Sequence, residues 1–359
     1  MATDFLGSTE TSLDRSKHFN GELGVKQSSA GCDNATRYIE KRTCDGCQWV
    51  KRKTRKKPPF FFLLRRFFTV SRLFLIPAFL LLIIFVFYPI VDTVYVSFLS
   101  KGGGNFVGLA NYNFVLFEKV NPLINTANIV QGLFPMGALI HNLIWIVIHL
   151  PLTVLLGLAF AVLLRDVKGG TIVKAIVFLG IVVPLVVGGV LFRFVYDKDA
   201  GVVNAALRVM GLGAYAMDFT QFRQTALFSV IIGSIWIWTG FAMIVYSAGL
   251  EGIPKEMYEA SAIDGASRWK TFWRITVPML RSTTLVVITL TILWELKIFD
   301  IVYVATRGGP GGASSVLAYD MYNEAFQANN LGAGAAIAVI LTLMTFGVAA
   351  YLVNRMSKT

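Results

Sequence analysis

The sequence predicts an all-α integral membrane protein of six transmembrane helices, joined by loops of which one is long, charged and itself helical. Three observations carry this. Hydrophobic residues make up 55% of the 359 and charged residues only 15%, well below the quarter usual in soluble domains. Six apolar runs each come close to the ~20 residues that cross a bilayer as helix. Between the fourth and fifth runs lies the stretch 252–278, GIPKEMYEASAIDGASRWKTFWRITVP. Its Glu256, Glu259, Asp264, Lys255, Arg268, Lys270 and Arg274 would not be accepted by hydrocarbon, so it stands in water.

Residues 1–71 are polar, basic and without periodicity, the pattern of a largely disordered extension. KRKTRKK at 51–57, followed by PPFFFLLRRFF at 58–68, reads as a topology signal with contact to anionic membrane lipid as its by-product. Cys32, Cys44 and Cys47 all fall here. With His18 they offer donors for zinc, but no second CxxC or HxxxH completes a set, and unligated thiols are expected. No metal or other cofactor is predicted. The net charge of +12 has the same origin, since 15 of the 33 Lys and Arg precede residue 73. It is not the basic face of a folded nucleic-acid-binding domain.

The first span is expected at 72–98. Its apolar run is longer than a signal-peptide core and begins far into the chain. Five more follow at 139–164, 172–195, 226–250, 277–299 and 333–353. Pro89, Pro151 and Pro184 are expected inside helices, because neighbouring helices can satisfy the backbone groups they free. Gly332 and Gly334, with Ala335, Ala336 and Ala338, should permit close helix contact. Counting basic residues per loop sets the orientation. The loops sharing a side with residues 1–72 hold 25 Lys and Arg, the opposite loops six. The positive-inside rule therefore places both termini and the charged stretch in the cytoplasm of a multi-pass cell-membrane protein.

Within the charged stretch, Pro254 suits a helix start and Lys255, Glu256, Met257, Glu259 and Ala260 are good helix formers. Gly265 permits a bend, and Ser267 can cap a second helix running towards Pro278. At this point the sequence resembles a family. Glu259, Ala260, Ser261, Gly265, Ile275 and Pro278 match the EAA…G…I.LP loop of the membrane permeases of binding-protein-dependent ABC importers. Ser261 replaces Ala and Val277 replaces Leu. The resemblance implies a type I ABC importer permease fold over 137–355, with 251–278 as the coupling loop that docks on an ATP-hydrolysing subunit. Glu259, Ala260, Ser261, Asp264, Gly265, Ile275 and Pro278 would then be the coupling residues. Phe299, Asp300, Tyr303, Thr306, Gly308, Gly309, Pro310, Ala325 and Phe326, with VGLANY at 107–112, resemble the sugar-type members, although Arg307 stands where a small residue is usual. The implied partners are two ATP-binding-cassette ATPase subunits, a second homologous permease and an extracytoplasmic solute-binding protein.

No catalytic constellation is present. Gly-Lys occurs nowhere, so the phosphate-cradling P-loop is absent from this chain. Gly211-x-Gly213-x-x-Ala216 lies in a loop between spans and reads as turn material. A non-enzymatic transport subunit for a sugar or sugar-like solute, with ATP hydrolysis on another chain, is what the resemblance implies; an ABC permease for another solute class, or a self-sufficient channel or secondary transporter, is the alternative. Intramembrane polar residues mark the candidate translocation path. Thr291, Glu295 and Phe299 fall at helical spacing on one face of the fifth span, with Trp294 adjacent. His141, Trp145, His149 and Thr153 form a similar stripe on the second, and Tyr88, Asp92 and Tyr95 on the first. For each stripe, helix packing is the competing explanation.

Overall fold

The computed structural model describes residues 75–165 and 167–357. Residues 1–71, with the basic cluster and the three cysteines, lie outside the described residues. Those described are helical apart from loops and one isolated bridge, Leu99 to Phe106.

Helix α1 spans Ile76–Val96. Pro89 lies inside it, and the turn before the proline, Ile83–Phe87, is widened to i→i+5 bonding, which accommodates a residue that cannot donate to the preceding turn. Helix α2, Ala138–Leu163, runs unbroken through Pro151. Two prolines thus behave as expected and the third does not. The run 172–195 is two helices, α3 (Gly170–Val182) and α4 (Leu185–Val195), meeting at 106°. Val183 precedes Pro184 and is driven to extended backbone, ψ 124°, because the proline ring clashes with an α-conformation there.

Helix α5, Ala226–Glu251, is the central span; over half of its apolar window is buried. It crosses α2 and α3 on small residues. A Cβ on Gly157 would collide with Ala242, and one on Gly240 would lie 2.6 Å from the Val177 carbonyl oxygen. Without a hydrophobic drive between helices in lipid, such close van der Waals approach is a main source of association.

The charged stretch forms α6 (Lys255–Ile263) and α7 (Arg268–Met279). The fifth span then corrects the expectation of one helix over 277–299. It turns 64° at Leu280, and only α8, Arg281–Leu296, continues. A short α9 (Asp300–Ala305) and α10 (Leu317–Tyr322) flank the glycine-rich loop, and α11 (Leu331–Met356) is the last span. As expected, Gly334 makes a close contact, with Ala325, and Gly332 sits against Leu99 and Asn111. Among the described residues, four helices are long and apolar enough to cross a membrane, six counting each bent pair as one span.

Buried apolar side chains form three clusters along the bundle. Trp145, Leu227, Ile231 and Ile301 anchor one, Leu296, Leu317 and Ile337 the second, and Met243, Tyr246 and Leu280 the third. Helix α1 contributes no buried residue from its apolar window. Tyr88, Asp92 and Tyr95 therefore point away from the chain's own core; neither packing within this chain nor a path inside it accounts for that stripe.

Candidate functional site

Two places combine exposed or buried polarity with a defined geometry. The first is the elbow formed by α6 and α7. Helix α6 ends in a left-handed residue, Gly265, at φ +67°. The Gly265 N–H donates to the Ala262 carbonyl at 3.1 Å and the Ala266 N–H to Ser261 at 3.0 Å, the paired bonds of a Schellman cap. Ser267 then caps α7, accepting from the Lys270 N–H at 3.3 Å. Two hydroxyl pairs fix the angle between the helices: Ser261 with Thr271 at 2.6 Å and Tyr258 with Thr276 at 3.3 Å. The Arg165 guanidinium lies over the Tyr258 ring, 5.3 Å from its centroid, which ties the elbow to the loop after α2.

Of the coupling residues named from sequence, Glu259, Ala260, Asp264, Gly265 and Pro278 are exposed. Ser261 is buried and works inside the elbow, and Ile275 is half-buried. Sequence reasoning missed Tyr258, Thr271 and Thr276, whose pairing across up to 18 residues leaves no periodic trace. It also passed over Ile263, which is 87% exposed at the tip of α6. An isoleucine amid so much charge was a legible signal.

The second place is a polar cluster inside the bundle. His141 accepts the Met136 N–H at Nε2 (3.1 Å) and faces the Ser315 carbonyl with Nδ1 at 2.7 Å. That arrangement puts the proton on Nδ1. Asn142 donates to the Glu295 carbonyl (3.0 Å) and accepts from the Leu317 N–H (2.9 Å). These two residues are fully engaged as packing groups that hold the loop after α9 to α2. Eight residues on from His141, His149 is different. Its Nδ1 bonds Glu295 Oε1 at 2.6 Å, with Thr153 Oγ1 3.4 Å away, and both members of the pair are wholly buried. His149 and Glu295, predicted on stripes of separate spans, therefore meet in one cluster. Within it, Glu295 Oε2, Thr291 Oγ1 and Trp145 Nε1 have no hydrogen-bond partner among the described residues. Buried polar atoms without partners are costly and call for an occupant or water.

Trp294 lies on the neighbouring face of α8. Its ring packs on Trp238 (4.6 Å) and His149 (5.7 Å) and borders a cavity of about 270 Å³ at the α3–α4 break, whose wall includes Pro184 and Ile237. Phe299 does not share the face of Thr291 and Glu295. Helix α8 stops at Leu296, and Phe299 instead stacks on Tyr303 (5.2 Å) and meets Tyr322 edge-on (5.3 Å). A further cluster escaped the sequence because its members are some 200 residues apart. Lys119 reaches Asp320 and Glu324, each at 3.1 Å, and Asp320 also accepts from Ser315.

Comparison with known proteins fits this geometry. Residues 153–358, which contain the elbow and the buried acid, match the family described as binding-protein-dependent transport system inner membrane component. The chain is 51% identical over 284 residues to a probable ABC transporter permease protein, PH1038, of Pyrococcus horikoshii, covering 79% of this chain and 96% of that one. It is 36% identical to the alpha-glucoside transport system permease protein AglF of Rhizobium meliloti, over 76% of this chain and 78% of the relative. Its fold is that of a chain in a bacterial ABC transporter involved in the import of the acidic polysaccharide alginate, with a TM-score of 0.67 at 19% identity, over 84% of this chain and 99% of that one. With a family match over more than half its length and a permease relative at 51% identity, the chain belongs to the family of inner membrane components of binding-protein-dependent transport systems.

Proposed function

We propose that this chain is one membrane-spanning half of an ABC importer that carries a sugar or sugar-like solute inward, and that its elbow is the lever on which ATP hydrolysis acts. Two ATPase subunits on the cytoplasmic side, a second homologous permease and an extracytoplasmic binding protein complete the assembly. The carrying body is 137–355 with coupling loop 251–278, preceded by a first helix at 72–98 and a cytoplasmic extension at 1–71. The observation that carries the coupling role is the elbow itself: a rigidly capped turn whose outer surface presents Glu259, Asp264 and the apolar side chain of Ile263. An exposed apolar tip framed by charge suits a cleft on a soluble partner. The outward-facing polar stripe Tyr88, Asp92 and Tyr95 on α1, which hydrocarbon would not readily accept, favours a second membrane subunit beside this one.

Solute passes by Thr291, Trp294 and Glu295, with Phe299 in the aromatic cluster beyond the end of α8. The Trp238–Trp294 pair offers faces for a sugar ring, and the unpartnered Thr291 hydroxyl and Glu295 oxygen offer hydrogen bonds to its hydroxyl groups. The name of the Rhizobium relative supports a glycoside over an amino acid or a metal. The test is uptake of labelled glycosides into liposomes holding the chain with and without its ATPases. Flux that requires ATPases, ATP and binding protein is expected. Flux through the chain alone would make it a channel or secondary transporter. Orientation is checked with Asp264→Cys in a background in which Cys32, Cys44 and Cys47 are replaced by serine; the new thiol should react with membrane-impermeant reagents only after the cytoplasmic face is opened.

A further inference from the structure

The elbow end of the bundle holds a hollow that, of the proposed coupling residues, only Glu259 lines. Helix α2 finishes there at Leu163, α5 finishes at Glu251, and α7 turns into α8; these ends and the elbow line an open hollow of about 570 Å³. Val162, Leu250 and Phe272 make part of the wall apolar. Among the described residues, three cations, Arg165, Lys255 and Arg268, share the rest with one carboxylate, Glu259. None of the three cations is ion-paired among the described residues. Arg165 is aimed by the Tyr258 ring beneath it, and a stacked guanidinium keeps its in-plane N–H donors available.

The depth of the cavity is marked by its neighbours. On α7, Trp269 and Trp273 are 71% and 52% exposed, pack edge-to-face at 5.7 Å, and alternate with Arg268, Lys270 and Arg274. Indoles among basic side chains are the signature of the water–lipid boundary. A hole at that level, cationic in one part and apolar in another, matches the two-ended chemistry of a phosphate on a lipid.

We propose that this cavity binds a phosphate group, carried by an anionic lipid headgroup or free in solution, and that the group bridges Arg165 after α2 to Lys255 and Arg268 of the elbow. Guanidinium and phosphate pair through parallel N–H···O bonds. A bridge between the two loops would hold the elbow against the bundle, whereas the Ser261–Thr271 and Tyr258–Thr276 pairs hold α6 to α7 within the elbow. Glu259 opposes the anion and keeps the site from being a general sink for negative charge. The inference concerns ligand binding and is independent of the solute and its path.

The test uses the full chain in nanodiscs of phosphatidylcholine doped with phosphatidylglycerol, with lipid retention read by native mass spectrometry. Phosphatidylglycerol should be retained, and the Arg165→Gln/Arg268→Gln variant should weaken its retention at least about tenfold, since removing a charge-assisted hydrogen bond is worth about that factor. Arg165→Lys should keep part of it, and Lys101→Gln, at the opposite end of the bundle, should change nothing. Displacement by millimolar inorganic phosphate, with the same sensitivity to the variants, assigns the site to soluble phosphate; resistance to displacement assigns it to the lipid headgroup. Equal retention by wild type and a folded double variant overturns the site, as does failure of both probes to bind. Should the double variant not fold, Lys255→Gln alone must still lower retention, and unchanged retention there is equally fatal.

Discussion

Substitution of Gly265 isolates what the elbow contributes. The residue sits at φ +67°, and a Cβ built there meets nothing within 4 Å. Alanine therefore suffers no clash, only the left-handed backbone, which costs an L-residue about 1–2 kcal/mol. If the elbow docks in the conformation described, that penalty lowers its population by a factor of about 5 to 30. Asparagine visits this region more readily and should cost less. Proline holds φ near −65° and deletes the N–H that bonds Ala262 at 3.1 Å, so the cap cannot form. The assay is reconstitution of the assembled importer, measuring ATPase subunit retained per permease and solute moved per ATP hydrolysed. Retention should fall in the order glycine, asparagine, alanine, proline. The thermal midpoint of the bundle should barely move, because Gly265 is exposed and outside the packed spans. A Gly265→Pro complex that holds its ATPases and couples at wild-type efficiency would refute the reasoning.

Three further perturbations follow from the packing. Glu295→Ala leaves His149 Nδ1 with only the 3.4 Å contact to Thr153 Oγ1 in a buried interior and should cost about 1–3 kcal/mol in detergent melts; Glu295→Gln should cost less, and pairing Glu295→Ala with His149→Ala should fall well short of additivity. Gly240→Ala drives a methyl to 2.6 Å from the Val177 carbonyl oxygen, whereas a Cβ on Gly347 meets open space. The first should lose about 1–3 kcal/mol and Gly347→Ala essentially nothing, as thermal unfolding of the two variants would show. Lys119→Ala leaves Asp320 and Glu324 as neighbouring buried carboxylates and should loosen the segment 315–327, measured as faster amide exchange there. Lys119→Arg should restore most of the protection.

What the sequence made legible divides by range. Span positions and the elbow depend on local composition, on Pro254, Gly265 and Ser267, and these appear where the residues put them. The bends at Pro184 and Leu280 were hidden for a different reason. An apolar run announces burial in lipid but not whether its axis is straight, and Pro151 and Pro184 look alike until neighbours are known. Extrapolating 3.6 residues per turn past Leu296 puts Phe299 on the α8 face, but the helix has ended by then. The polar stripes on two spans were each visible, yet nothing local says that His149 and Glu295, 146 residues apart, touch. Nor does helical spacing reveal that Tyr88 and Tyr95 face outward; an outward face and an inward one obey the same period.

The right-angle turn at Val183–Pro184 carries an obligation of its own. A helix that stops leaves its last carbonyls without amide partners, and one that starts leaves its first amides bare. Oil cannot supply what they lack. The corner must consequently be wetted or sealed by another protein surface, and the void beside Trp238 and Trp294 is where moisture would gather. Keeping ions from that wetted corner falls to the side chains that crowd it, Ile237, Trp238 and Trp294 among them.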